Sequence, residues 1–190
     1  MNAQVITASL LRSRLQRGFC IPRYTPKGWF EMDVAEWTDS GYLREYEIKI
    51  SRGDFFADSK KEDRVWPVRW DDKKLVMERK HDLLAAGSPR GPVQFWYVVP
   101  EGMIKLTELP PFAGLIEMKM QEYGRHAYEK ETVKAPRLHN TKPEASTYSH
   151  ARGVCYYRYR NLLGHVMTLR TKAKEQAEQI RTLRAKKKAA

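Results

Sequence analysis

The tightest constraint on this chain is residues 29–60, WFEMDVAEWTDSGYLREYEIKISRGDFFADSK, where two short segments alternate apolar and charged residues on either side of a turn. Successive side chains of a strand point to opposite faces, so Phe30, Met32 and Val34 share one face of the first segment, and Glu31 and Asp33 the other. In the second, Tyr46, Ile48 and Ile50 go one way, and Glu45, Glu47 and Lys49 the other. Thr38-Asp39-Ser40-Gly41 between them is made of turn formers, which predicts a hairpin. If the apolar faces share a core, Asp33, Glu47 and Lys49 emerge on one polar side. Two carboxylates and an amine converging there are the minimum for a divalent-metal hydrolase. A half-exposed hairpin with alternating charges gives the same local pattern.

Asp33 followed by Glu47-Ile48-Lys49 resembles the D…E-x-K signature of the PD-(D/E)XK nucleases. The continuation through Ser51, Asp54-Phe55-Phe56-Ala57-Asp58 and Lys60 is similar to the pattern of the MmcB-like, phage-type branch of that superfamily. Lys80-His81, the run Phe95-Trp96-Tyr97-Val98-Val99-Pro100, and Gly114-Leu115-Ile116 follow the order of the same branch. The resemblance implies an α/β fold with a restriction-endonuclease-like core, a central mixed β-sheet flanked by helices. It implies a Mg²⁺ (or Mn²⁺) ion held by Asp33, Glu47 and the Ile48 carbonyl, with Lys49 completing the catalytic set. It also implies a place for the Lys80-His81 pair beside the site, both as candidate nucleic-acid contacts, His81 binding a phosphate or assisting a proton transfer. Glu31 and Glu45 are second-line candidates. Two features depart from the pattern: Met32 stands where the superfamily has its proline, and residues 3–18 hold no acidic residue, so either Gln4 or Gln16 replaces a helix-borne ligand or that ligand is absent.

Elsewhere the spacing of Ala8, Leu11 and Leu15 predicts a helix over 3–18, with Arg12 and Arg14 as solubilising charges, and a short strand is expected at 19–24. Ser51 is the expected N-cap of a helix over 54–61. Asp54 and Asp58 are read there as capping and surface charge, and Lys60 as a candidate phosphate contact. In 62–72, Trp66 and Trp70 lie beside Arg64 and Arg69, a mixture that stacks on bases or packs in a core. A second helix is expected over 72–86, ending near Gly87. Residues 93–99 are a continuous apolar run, the pattern of a strand buried on both faces. Shorter strands are expected at 103–107 and 113–119, and 121–150 as surface loops.

The net charge of +12 is concentrated at one end. Residues 151–190 hold eleven Lys/Arg against two Glu, nine of the twelve net charges, so the chain divides into a nuclease-like domain over 1–150 and a basic helical tail over 151–190. A basic tail on a nearly balanced body points to a polyanion, with Arg181, Arg184, Lys186, Lys187 and Lys188 as the expected contacts, and the nuclease resemblance implies DNA more than RNA. Within a helix over 152–187, Leu162, Val166, Leu169, Ala173, Gln176, Ile180 and Leu183 form a heptad seam suited to a homo-oligomer, or one face of a single amphipathic helix. No apolar run approaches the ~18 residues of a membrane span. Cys20 and Cys155 read as free thiols of a reducing cytoplasm, bacterial or that of an infected host. The expected function is Mg²⁺-dependent hydrolysis of DNA phosphodiester bonds. The alternative is a weakened or inactive nuclease-fold protein that binds nucleic acid or a host factor.

Overall fold

A computed structural model of the protein describes residues 2–14, 18–60, 62–65, 76–120 and 127–189, with the backbone alone at 62–65, 76–77, 183 and 185–189. It comprises two units, Met1–Tyr148 and Ser149–Ala190. The first is an α/β unit built on a six-stranded mixed sheet with strand order β1-β2-β3-β6-β7-β8. These strands are β1 (Gly18–Tyr24), β2 (Met32–Thr38), β3 (Leu43–Ile48), β6 (Gln94–Pro100), β7 (Ala113–Met120) and β8 (Ala127–Val133). The hairpin between β2 and β3 forms as the turn residues require. Gly41 takes φ 83°, its N–H donates to the Thr38 carbonyl at 2.8 Å, and Val34 pairs with Tyr46 in antiparallel register. β3, β6 and β7 run parallel, and β1 and β8 close the two edges antiparallel.

Helix α1 (Ala3–Arg14) starts at Asn2, whose side-chain oxygen accepts the Val5 N–H at 2.9 Å. It buries Ile6, Leu10 and Arg14, not the expected stripe: Ala8 is exposed and Leu11 half-buried, while Leu15 lies outside the described residues. Ile6 and Leu10 pack on Val34, Tyr46, Ile48, Trp96, Val98 and Ile116, so one sheet face carries the main apolar core. Arg14 is not a solubilising charge. It is buried, pairs with Glu129 of β8 at 3.1 Å and lies over the Tyr46 ring. Gly114 of β7 allows this packing, since a Cβ there would meet Trp96 Cδ1 at 2.5 Å.

The opposite face is covered by the crossover from β3 to β6. It contains α2 (Arg52–Asp58), a two-stranded sheet of β4 (Glu62–Val65) and β5 (Val76–Arg79), and α3 (Lys80–Ala85). Ser51 caps α2 as expected, its hydroxyl accepting the Asp54 N–H at 3.2 Å. The single helix expected over 72–86 is replaced by a strand and a six-residue helix, its first four residues lying outside the described ones. Trp66, Arg69 and Trp70 also lie outside them, as does the side chain of Arg64. Leu106–Glu108 is a 3₁₀ turn where a strand was expected, and 121–150 contains β8.

The second unit is helical. Helix α4 (Ala145–Ala189) starts seven residues before the expected 152. On it Leu162, Leu169 and Ile180 are each at least half exposed. Among the described residues no helix is long and apolar enough to cross a membrane. Cys20 and Cys155 are free thiols.

Candidate functional site

The carboxyl ends of parallel strands are where α/β sheets place their ligand-facing groups, because the loops that follow splay apart there. In this sheet β3 ends at Ile48 beside Val98 of β6, and β2, running the other way, begins nearby. Asp33 at the start of β2 accepts the Ile48 N–H on Oδ2 at 2.8 Å. Glu47 faces the same side of the sheet, and Lys49, one residue beyond β3, reaches back to Glu47 Oε1 at 3.0 Å. Asp33, Glu47 and Lys49 therefore lie together, on a covered face: Glu47 is 8% and Lys49 6% exposed, and only Asp33 is half-buried.

Asp58, expected as surface charge, is instead a member of this cluster. It is buried, and its Oδ1 accepts Lys49 Nζ at 2.6 Å. Its Oδ2 accepts the Tyr97 hydroxyl at 2.9 Å and lies 3.0 Å from His81 Nε2, which is itself 2.7 Å from the Tyr97 oxygen. A proton on Nε2 satisfies all three contacts. Burial pushes the Asp58 carboxyl up, but the donors from His81, Lys49 and Tyr97 outweigh it and hold the group well below the usual carboxylate range. As the last residue of α2, Asp58 stands where the helix dipole disfavours a carboxylate, so its position serves the network and not the helix. Tyr97 is the one hydroxyl in the run of residues 93–99. A buried hydroxyl needs a partner, and that need was the only signal in the sequence for it.

Lys80 closes the other side. Its Nζ lies 2.7 Å from Glu47 Oε2, pairs with Glu45 Oε1, and approaches the Glu31 carbonyl at 3.5 Å. Glu45 is fully buried, and its Oε2 accepts the Trp29 indole N–H at 3.1 Å. Desolvation pushes Glu45 up to about 7 against the opposing pull of Lys80. Glu47 behaves in the opposite way: burial raises it, the charges of Lys80 and Lys49 overcome that, and it ends below its ordinary value. Asp33 is raised by burial and then by the charge of Glu47, which places the two carboxylates within electrostatic reach of each other. For Lys49 and Lys80, desolvation is outweighed by the neighbouring carboxylates, and both ammoniums are held more firmly than usual.

Of the remaining candidates, Lys60 is exposed just beyond α2, while Lys80 and His81 face inward. Arg181 and Arg184 are exposed on α4, and the side chains of Lys186, Lys187 and Lys188 lie outside the described residues. Gln4 is exposed on a helix whose buried side faces the opposite sheet surface, and Gln16 lies outside the described residues. Glu31 is exposed.

Among the described residues no three acidic, His or Cys side chains form a ready-made metal cage. The charges nevertheless fit a hard divalent cation. Among the described residues, and with Glu45 ionised, Asp58 offsets Lys49 and Glu45 offsets Lys80, which leaves Asp33 and Glu47 with two negative charges between them. Mg²⁺ needs little more, being commonly held by one or two carboxylates with waters and substrate phosphate completing the shell.

No protein-family model and no curated protein matches the chain. A solved structure of the SPO1766 protein of unknown function, from Silicibacter pomeroyi, is similar to it. The TM-score is 0.57 at 18% sequence identity, over 85% of this chain and 91% of that one. The likeness is one of fold.

Proposed function

We propose that the protein is a metal-dependent phosphodiesterase acting on DNA, related in kind to the PD-(D/E)XK nucleases of the MmcB-like, phage-type branch, and working in the cytoplasm. One observation supports this reading above the others. Among the described residues Asp33 forms no ion pair, and Glu47 meets only Lys49 and Lys80, ammoniums it shares with Asp58 and Glu45, in a cluster at the carboxyl end of β3. Asp33, Glu47 and the Ile48 carbonyl would hold Mg²⁺ or Mn²⁺. When bound, such an ion lowers the pKa of its water and neutralises charge on a phosphate. Lys49, clamped between Glu47 and Asp58, offers a preorganised ammonium for the charge that develops on phosphorus-bound oxygens. Lys60 and the exposed Arg181 and Arg184 would hold the backbone of the nucleic acid, which fixes position without reading sequence.

The test is Mg²⁺-dependent cleavage of linear and circular DNA by three variants. Asp33→Asn, Glu47→Gln and Lys49→Ala should each lose turnover by at least about 100-fold. The first two should also lose metal binding in calorimetry, whereas Lys49→Ala should keep it, because removing a nearby cation does not weaken a cation site. Cleavage that persists in the Asp33→Asn, Glu47→Gln double variant rules the reading out. A second reading, a nuclease fold retained for binding nucleic acid or a host factor, is favoured by both oxygens of Glu47 being held by ammoniums. Metal binding without turnover on any DNA or RNA would select it.

A further inference from the structure

Glu47 has both carboxylate oxygens engaged, Oε1 by Lys49 and Oε2 by Lys80, at 3.0 and 2.7 Å. The two lysines are not equivalent. Lys49 sits at a strand end, is 6% exposed, and is tied at 2.6 Å to Asp58, which Tyr97 and His81 hold in turn. Lys80 is the first residue of a six-residue helix, where the dipole disfavours a cation, and its side chain is 12% exposed. It also has other oxygens within reach, Glu45 Oε1 and the Glu31 carbonyl, so it gives up Glu47 without losing every partner.

We propose that Lys80 is the resident counter-ion of the site: its ammonium supplies at Glu47 the positive charge that a divalent ion brings, and the ion enters by displacing it. The inference rests on the nuclease reading above and adds the event by which that site opens. The charge balance is what makes the exchange possible. With Lys80 withdrawn onto Glu45 and Lys49 kept on Asp58, the charges of Asp33 and Glu47 equal those of one divalent ion. With the ion gone, Lys80 returns to Oε2 of Glu47, beside the Lys49 that already holds Oε1. Metal affinity is therefore set as a competition, weak in the intact protein and stronger when the competitor is removed.

The experiment titrates Mn²⁺ into the full chain without nucleic acid, by calorimetry, for the wild type, Lys80→Met and Lys80→Met with Asp33→Asn. Lys80→Met should bind Mn²⁺ at least tenfold more tightly than the wild type, and the added Asp33→Asn should remove that gain. Equal or weaker affinity in Lys80→Met overturns the counter-ion role, and if the wild-type affinity still depends on Asp33 the nuclease reading stands. Absence of Mn²⁺ binding in all three proteins overturns both. Should Lys80→Met fail to fold, reductive methylation of the wild type gives the same answer. The rate at Lys80, followed by mass spectrometry, should rise severalfold as Mg²⁺ is added and stay constant in Asp33→Asn. A wild-type rate unaffected by saturating Mg²⁺ overturns the proposal.

Discussion

At Glu45 two effects compete, the desolvation that favours its proton and the ammonium of Lys80 that favours its charge. Desolvation prevails, with the carboxyl pushed up to about 7. A carboxyl whose folded value lies above its unfolded one binds protons more tightly in the native state. Its stabilising contribution is thus complete below about pH 4.5 and is lost as pH rises through about 7. The shift corresponds to about 3 kcal/mol. Urea midpoints at constant m should therefore fall for the wild type between about pH 5 and 8, and the wild-type minus Glu45→Gln difference should carry that fall. Parallel curves for the two proteins would contradict it. The alternation in residues 29–50 foretold that Asp33, Glu45, Glu47 and Lys49 point the same way, since period two is imposed by the strand itself. It did not foretell that their face is covered, because the cover comes from α2 and α3, distant in sequence. Asp58 looked like surface charge for the same reason: nothing in a seven-residue helix says which of its sides meets Lys49 and Tyr97.

Elements with a strong internal period were legible, and those formed by partners were not. The hairpin, β6 and α2 with its Ser51 cap followed from local chemistry. β8 has almost no apolar alternation because it is an edge strand, half of it open, and its pairing with β7 supplies the order. β5 and α3 read as one helix in the sequence because the apolar residues Leu75, Val76, Leu83 and Leu84 carry a helical spacing across the break at Arg79. Helix α4 carries Leu162, Leu169 and Ile180 exposed, at the seam positions of a heptad. The intact chain should therefore self-associate at tens of micromolar, and Leu169→Asp with Ile180→Asp should return it to a monomer by light scattering. A wild-type monomer at that concentration would leave these residues as one face of a single amphipathic helix.

Across the whole molecule the charge is uneven, with most of the net +12 after residue 150. On the proposed reading, such a distribution would give nucleic-acid affinity that does not depend on the site. Truncation after residue 180 removes Arg181, Arg184, Lys186, Lys187 and Lys188. The slope of log K against log salt should become shallower by roughly 0.9 for each duplex-DNA phosphate that the shortened chain no longer neutralises. Mn²⁺ affinity should be unchanged by the truncation, since Asp33 and Glu47 belong to the first unit. A slope that stays the same would make the tail a solvated appendage.

The crossover between β3 and β6 has a consequence for the order in which the protein folds. Asp58, Lys80 and His81 all lie within this one excursion, and they meet Glu47, Lys49 and Tyr97 only when β6 docks beside β3. Closing a loop of that length precedes any reward from the charges it brings together, so the network belongs to the late side of the folding barrier. Asp58→Asn, which leaves the buried Lys49 with one carboxylate fewer, should cost roughly 3 kcal/mol. Nearly all of that should appear as faster unfolding, about 100-fold in stopped-flow fluorescence, with the refolding rate altered less than about threefold. A refolding limb slowed as much as the unfolding limb is accelerated would place the cluster in the nucleus instead. The residues proposed for chemistry then also govern how long a folded molecule lasts, a lifetime set by electrostatics where β6 docks beside β3.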